Sequence, residues 1–258
     1  TANDAFKPVT RYFDRITRPE QIIQSFPTAV QTMLDPADCG PACISLSQDI
    51  QGQTFDYPEE FFKEKIHTIR RPRPDDFQIK EAAEVIKSSK NPIIISGGGV
   101  FYSDAMEELS DFAIKHNIPV TQTVMGYSTM KRDHPHYAGQ IGALGGKNTN
   151  LIAKQTDLAI AIGTKLGDFT TGSWANFENE NFKLVTINVS RFDANKHLAQ
   201  AIVGDAKISL KDLSIALGDW KANEEWNKKS QTELAIWNEQ IEKESAPSNQ
   251  EIPSYVQA

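Results

Sequence analysis

Cysteine is almost absent from this sequence: its 258 residues include two, Cys39 and Cys43. They stand four positions apart beside Gly40 and Pro41, without the Cys-x-x-Cys spacing of a zinc ribbon or a dithiol redox site. Two bystander thiols, expected to be buried, suit a reducing compartment, so a cytoplasmic location is expected. Long apolar runs are missing too. None approaches the roughly 20 residues that a bilayer-spanning helix needs. The opening residues, TANDAFKPV, have neither the basic start nor the apolar centre of a secretion signal. Excess positive charge is also lacking: 27 Lys and Arg face 34 Asp and Glu, leaving a net charge of −7 and a pI near 5.3. That balance excludes nucleic acid and membrane as expected partners. No Gly-x-Ser-x-Gly, His-Glu-x-x-His or Gly-x-x-x-x-Gly-Lys-Ser/Thr run occurs, so spacing nominates no nucleophile or general base. His134 and His136 lie two apart in DHPHY with no third ligand at a familiar spacing, and they read as a loop pair.

What is present is rhythm. With 39% of its residues hydrophobic, the chain can bury a real core. DDFQIKEAAEVIKSSK (75–90) predicts a helix that turns Phe77, Ile79, Ala82, Ala83 and Ile86 inward. NPIIIS predicts a strand, and SDAMEELSDFAIKHN (103–117) a helix capped by Ser103 with Met106, Leu109, Phe112 and Ala113 facing in. The strands IPVTQTV, DLAIAIG (157–163) and FKLVTINV (182–189) follow, with the helices NTNLIAKQT and KISLKDLSIALG placed among and after them. Short apolar strands alternating with amphipathic helices predict an α/β fold, a doubly wound parallel sheet over about 75–218 with helical extensions. Residues 1–56 read as one helix and one strand. TIRRPRPDD (68–76) reads as a linker. Beyond Gly218, Trp220, Trp226, Leu234 and Trp237 recur at helical spacing before the polar stretch APSNQEIPSYVQA.

One stretch, NPIIISGGGVFYSDA (91–105), raises a sharper question. A buried strand running into Gly97, Gly98 and Gly99 is how many chains cradle phosphate. The dinucleotide fingerprint asks for a third glycine where Tyr102 stands, whose ring would hold the helix off the sheet, and for an acid after the second strand, which IPVTQTVMG lacks. A nicotinamide dinucleotide is therefore not expected, and a tight crossover needing positive φ accounts for the glycines. Two further loops, GQIGALGGKNTN and GTKLGDFTTGSW, could converge on the same crevice.

The order of the longer segments says more than any one of them. NPIIISGGGV, HNIPVTQTVMG, HPHYAGQIGALGGKNTN, TDLAIAIGTKLGDFTTGSW, INVSRFDANKH and VGDA resemble, in sequence and spacing, the Rossmann-like central domain of thiamine-diphosphate enzymes related to acetohydroxyacid synthase. ITRPEQIIQSFPTAVQTML and CGPACISLSQDIQG look like the last helix and strand of that family's pyrimidine-binding domain. NDAFKPVTRYFDRITRPEQ, HTIRRPRPD and LGDFTTGSW are similar to the branch of the family that opens a cyclic diketone in myo-inositol catabolism. The resemblance covers about residues 1–215.

The resemblance implies a division into 1–56, the remnant of a pyrimidine-binding domain; 57–74, a linker; 75–218, the central domain; and 219–258, a helix and linker toward a diphosphate-binding domain. It implies thiamine diphosphate and Mg²⁺ as cofactors and a small cyclic 1,2-diketone as substrate, cleaved at a C–C bond with water as acceptor. The family's activating glutamate and Gly-Asp-Gly motif have no counterpart here. The chain is therefore expected to be an internal piece, inactive alone, with N- and C-terminal domains as partners and a homo-oligomeric parent. Neither a catalytic residue nor a metal ligand is expected in it. Phe6 and Lys7 fall where related enzymes line the active-site channel. Gly97, Gly98, Gly99, Gly163, Thr164, Asp168 and Asp205 mark the crevice that holds FAD in acetohydroxyacid synthase. Where the synthases carry acids after the fourth strand, this chain has Asn188 and Ser190, so FAD is not expected. A stand-alone module binding FAD, NAD or CoA, an interaction subunit, and a related lyase or synthase remain the alternatives.

Overall fold

Two parallel strands, rather than one, organise the start of the chain. The computed structural model describes residues 2–246 and divides into two compact units, Thr1–Arg71 and Pro72–Ala258. In the first unit a 3₁₀ segment, Ala2–Val9, precedes β1 (Tyr12–Ile16). β1 pairs in parallel with β2 (Ala42–Leu46), and α1 (Ile22–Leu34) crosses between them. The sequence hides β1 because YFDRI carries Asp14 and Arg15 in place of an apolar run. The Asp14 carboxylate is satisfied locally by the Ser25 hydroxyl, the Gln21 amide and the Tyr12 hydroxyl. These hydrogen bonds, Ser25 foremost, hold its pKa below the ordinary carboxylate value. Two single-turn helices, α2 (Gln48–Gln51) and α3 (Glu59–Phe62), follow.

The second unit begins with α4 (Asp76–Lys87), whose N-cap Asp75 accepts from the Phe77 amide at 2.8 Å. Then come β3 (Pro92–Ser96), α5 (Gly98–Tyr102), α6 (Met106–His116), β4 (Val120–Gln122), β5 (Tyr137–Gln140), α7 (Lys147–Gln155) and β6 (Leu158–Ile162). The chain continues through α8 (Asp168–Thr171), β7 (Lys183–Asn188), α9 (Arg191–Ala194), β8 (Gln200–Val203), α10 (Ala206–Leu217) and α11 (Glu224–Ser245). Six strands form one fully parallel sheet in the order β5-β4-β3-β6-β7-β8. The winding direction reverses between β3 and β6, as in a doubly wound dinucleotide fold. This is the α/β class read from the sequence.

Side-chain alternation along each strand splits the core into two layers. Ile94, Leu158, Ile160, Ile162, Val185 and Ile187 face the layer of α4, α6 and α10, while Ile93, Ile95, Ala159, Ala161 and Leu184 face Ile152 of α7 and Trp226 of α11. Both faces are covered, which is why these strands read as unbroken apolar runs. In α4 the buried set is Ile79, Ala82, Ala83 and Ile86, spaced for one helical face; Phe77 lies off that face and is exposed, contrary to expectation. Met106, in the first turn of α6, is likewise at the surface. Ser103 does not cap α6: it ends α5, and Ala105 precedes α6. β5 was hidden in an apparent loop, because YAGQ is short and half polar. Helix α11 lies against α7 and β5, and its Trp226 Nε1 donates to the Pro92 carbonyl at 2.8 Å.

Candidate functional site

The carboxyl ends of β3 and β6 meet where the winding reverses, the place at which open α/β sheets hold ligands. Gly97 N–H donates to Ile162 O at 2.8 Å, and Gly99 N–H donates to Gly163 O at 2.9 Å. A Cβ on Gly97 would lie 2.5 Å from Gly163 O, and one on Gly99 would lie 2.5 Å from Gly163 Cα. The two loops thus touch backbone to backbone. This corrects the sequence reading of these glycines: none of the three has a left-handed φ, whereas Gly163 does, at +61°. Close approach demands them, and the N–H groups of Gly97 and Gly99 are spent on carbonyls rather than offered to a phosphate. Tyr102 does not hold the helix off the sheet either, because its ring is largely exposed.

The positions where an acid was sought after β7 are engaged locally. Asn188 Nδ2 donates to Thr164 O at 3.2 Å, and Asn188 Oδ1 accepts from Ser190 N–H at 2.9 Å. Ser190 Oγ accepts from Asp193 N–H at the start of α9. A carboxylate at position 188 could not make the bond to Thr164 O, so the side-chain amide is what ties the β6 loop to β7. Asp168 opens α8 and is exposed. Asp205 follows the edge strand β8, is 4% exposed, and accepts from Lys207 N–H at 3.0 Å and Ile208 N–H at 3.4 Å as the N-cap of α10. Its carboxylate serves a helix terminus.

Below the crevice lies a buried polar network that the sequence reading passed over. Ser96 and Thr129 hydroxyls share a 2.6 Å hydrogen bond, Gln122 Nε2 donates to Met130 O at 2.9 Å, and Thr123 Oγ1 accepts from Gly126 N–H at 3.0 Å. These bonds fix the β4 loop, residues 123–130, beside α5. The signal in the sequence is the polar triplet Thr121-Gln122-Thr123, which ends β4 and enters its loop; all three are buried, and each polar group needs a partner.

Phe6 and Lys7 belong to the first unit. Phe6 is half exposed; Lys7 pairs with Asp4 at 2.9 Å, its ammonium 5.2 Å from the Phe13 ring centroid. The histidine pair is structural in its contacts. His136 N–H donates to His134 Nδ1 at 3.1 Å, His134 Nε2 meets the Ser110 hydroxyl at 3.1 Å, and His136 Nε2 meets Asn117 Oδ1 at 3.1 Å. Burial lowers both imidazole pKa values, His136 to about 4. The cysteines depart from expectation: Cys39 lies in the loop before β2 and is exposed, and Cys43, on β2, is half-buried because the two-stranded sheet is too small to enclose it. Among the described residues no group of three or more His, Cys, Asp or Glu is placed to hold a metal ion, and no helix is long and apolar enough to cross a membrane.

Residues 79–213, from the middle of α4 into α10, match the family described as "Thiamine pyrophosphate enzyme, central domain". The chain belongs to the thiamine pyrophosphate enzyme family. Its six-stranded sheet is the central domain of that family. Among curated proteins it is similar to the 3D-(3,5/4)-trihydroxycyclohexane-1,2-dione hydrolase of Clostridium perfringens, 47% identical over 217 residues, covering 84% of this chain and 34% of that protein. The protein of the same name from Clostridium tetani is 42% identical across 96% of this chain and 40% of its own length. That from Bacillus subtilis is 46% identical across 83% of this chain and 33% of its own length. The chain thus spans about a third of the length of the curated relatives it matches. Thiamine diphosphate is the cofactor the family is named for, and the described residues bring together no cluster of His, Cys, Asp or Glu that would hold a metal ion for a diphosphate.

Proposed function

We propose that this chain supplies the central domain of a thiamine-diphosphate- and Mg²⁺-dependent hydrolase that cleaves a C–C bond of a cyclic 1,2-diketone, the ring opening of trihydroxycyclohexane-1,2-dione. The observation that carries this reading is the 47% identity over 217 residues to a protein named for that hydrolysis. When bound, the cofactor supplies the electron sink for bond cleavage; the protein contributes orientation and exclusion of side reactions. The catalytic machinery lies on N- and C-terminal domains that complete the enzyme, and the 258-residue chain is inactive by itself. Phe6 and Lys7 border the substrate channel in that assembly. The enzyme is a cytoplasmic homo-oligomer.

Gly97, Gly98, Gly99, Gly163, Thr164, Asp168 and Asp205 mark an inherited nucleotide crevice that holds no FAD. Supporting this are the backbone contacts between Gly97, Gly99 and Gly163, the Asn188 bond to Thr164, and the engagement of Asp205 in capping α10.

The test assays diketone ring opening with thiamine diphosphate and Mg²⁺, for the 258-residue chain and for a polypeptide of the relatives' full length. Turnover is expected from the longer polypeptide alone. Turnover by the short chain, or none by the long one, overturns the reading. Saturating FAD should leave the melting temperature unchanged; a rise of several degrees overturns the empty crevice.

A further inference from the structure

At the amino ends of β7 and β8, the end of the sheet opposite the crevice, lies a cavity of about 530 Å³. Its walls come from α4, from Lys183 and Gln200 at the starts of β7 and β8, and from the connections that precede those strands, through Trp174, Phe182 and His197. That volume falls within the range, roughly 300–1,000 Å³, of sites for small organic ligands. The stretches LGDFTTGSW and INVSRFDANKH end on Trp174 and His197. These two rings meet edge to face, with centroids 4.5 Å apart.

The backbone that presents them is strained on both sides. Gly172, Ser173 and Trp174 lie consecutively in the left-handed region, at φ of +59°, +52° and +69°, and His197 and Leu198 follow suit at +60° and +57°. That conformation is costly for any residue but glycine, and four of these five have a side chain. Burial does not offset the cost, because His197 is exposed and Leu198 fully so. The first turn is locked by hydrogen bonds from Ser173 N–H to Asp168 O at 3.1 Å and from Trp174 N–H to Thr171 Oγ1 at 3.2 Å. Strain held in place without a gain in core packing is a mark of a site that must present its side chains in one arrangement.

The lining selects a chemistry. Trp174 packs on Phe177, and Phe177 stacks on Phe182 with centroids 4.6 Å apart, so one side is aromatic and suits a flat ring. Lys183 supplies positive charge. Its Nζ donates to Ser88 Oγ at 3.1 Å and pairs with no carboxylate among the described residues. Ser88 ends α4, and the partial charge of that helix end offsets only part of the ammonium. The Glu81 carboxylate is engaged by Gln200 Nε2 at 3.1 Å, and the His197 imidazole adds a further nitrogen donor to the lining. We propose that this cavity binds a flat aromatic ring carrying one carboxylate or sulfonate, with the ring against Trp174 and Phe182 and the anionic group on Lys183. The proposal goes beyond the hydrolase reading and does not rest on it.

Fluorine NMR tests it. Trp174, Trp220, Trp226 and Trp237 are replaced by 5-fluorotryptophan in the 258-residue chain, and the Trp174 signal is assigned by its loss in Trp174→Phe. 1-Naphthoate is the probe, and 1-naphthamide is its uncharged counterpart. Naphthoate should move the Trp174 signal alone, half-saturating at or below about 1 mM, and naphthamide should bind at least about tenfold more weakly. Lys183→Met should weaken naphthoate by about tenfold and leave naphthamide within about twofold, with the other three signals unmoved as the check on folding. Should that variant not fold, the comparison of the two probes decides by itself. A Trp174 signal that stays still at about 10 mM naphthoate overturns the proposal. So do shifts spread over all four signals, equal affinity for the two probes, or a folded Lys183→Met variant that binds naphthoate as wild type does. The same titration of a polypeptide of the relatives' length should reproduce the Trp174 shift; its loss there would mean that another part of the enzyme fills the cavity, and would overturn the proposal too. No arm measures turnover, so failure here leaves the hydrolase reading standing.

Discussion

Gly99 sets how closely β3 and β6 approach at their carboxyl ends. A methyl group there would meet the Gly163 backbone, and backbone cannot swing aside as a side chain does. Gly99→Ala should therefore lower unfolding stability by about 2 kcal/mol, within the range for overpacking a tight contact. Gly167→Ala is the control, since nothing lies within 4 Å of its ideal Cβ, and it should stay within about 0.5 kcal/mol. Urea denaturation of the two variants decides; equal effects would refute the junction. His136 acts at the same scale through protonation. Burial first, and the neighbouring His134 second, push its pKa down to about 4, against about 6.5 for an unfolded imidazole. Above pH 6.5 both states are neutral and the group contributes nothing to pH dependence. As pH falls toward 4 the unfolded chain takes up a proton that the folded one refuses, and stability drops by up to about 3 kcal/mol. His116 and His134 are also lowered by burial and act in the same direction. The difference between wild type and His136→Gln is therefore the measure. Denaturation midpoints from pH 8 to 4.5 should fall less steeply in the variant, and parallel curves would exclude the His136 contribution.

Elements were legible in proportion to how purely their burial was written in apolar residues. β3, β6 and β7 have both faces covered and read as unbroken runs; α4 and α10 show the helical period, and Asp75 and Asp205 announce their starts. β1 and β5 read poorly because polar residues occupy them, Asp14 and Arg15 in β1 and Gln140 in the four-residue β5. The start of α5 on Gly98 is hidden for a different reason. What fixes it is Gly163, some 64 positions away, and no local pattern reports such a contact. The candidate crevice was legible as a set of loops but not as a closed junction. The bonds of Asn188 to Thr164 and of Gly97 to Ile162 depend on strand order, which residue spacing does not encode. α11 shows the converse, a spacing that was readable and a role that was not. Its tryptophans recur at helical intervals, but Trp226 alone donates to β3, at Pro92 O. Trp226→Phe removes that donor and leaves a buried carbonyl unpaired, which should cost about 2 kcal/mol. Trp237→Phe, at a half-buried site, should cost under about 1 kcal/mol. Thermal unfolding of the pair would rank them, and the opposite order would show that α11 is not pinned at its start.

At the scale of the whole molecule, the two units are joined by a stretch built to be exposed. Residues 64–75 have no regular secondary structure, and among them Pro74 alone is fully buried. Pro72 and Pro74 keep this segment extended and unable to join either neighbouring helix. Its first part carries Lys65 and Arg70, whose peptide bonds are open to trypsin, whereas Arg71 and Arg73 each precede a proline and resist it. The second unit owns its complete six-stranded sheet and both covering layers, so it meets the requirement for folding alone. The first has two strands and one long helix, too little core to be stable in isolation. Brief trypsin treatment of the native chain should therefore cut between residues 63 and 71 and leave a resistant fragment that begins there. That fragment should melt cooperatively within a few degrees of the intact chain, while the released N-terminal piece is digested further. Should the fragment instead unfold on release, or the first cuts fall inside α4 to α10, the central sheet would depend on residues 1–71 for its stability, and the division at Arg71 would mark a fold boundary without being an energetic one.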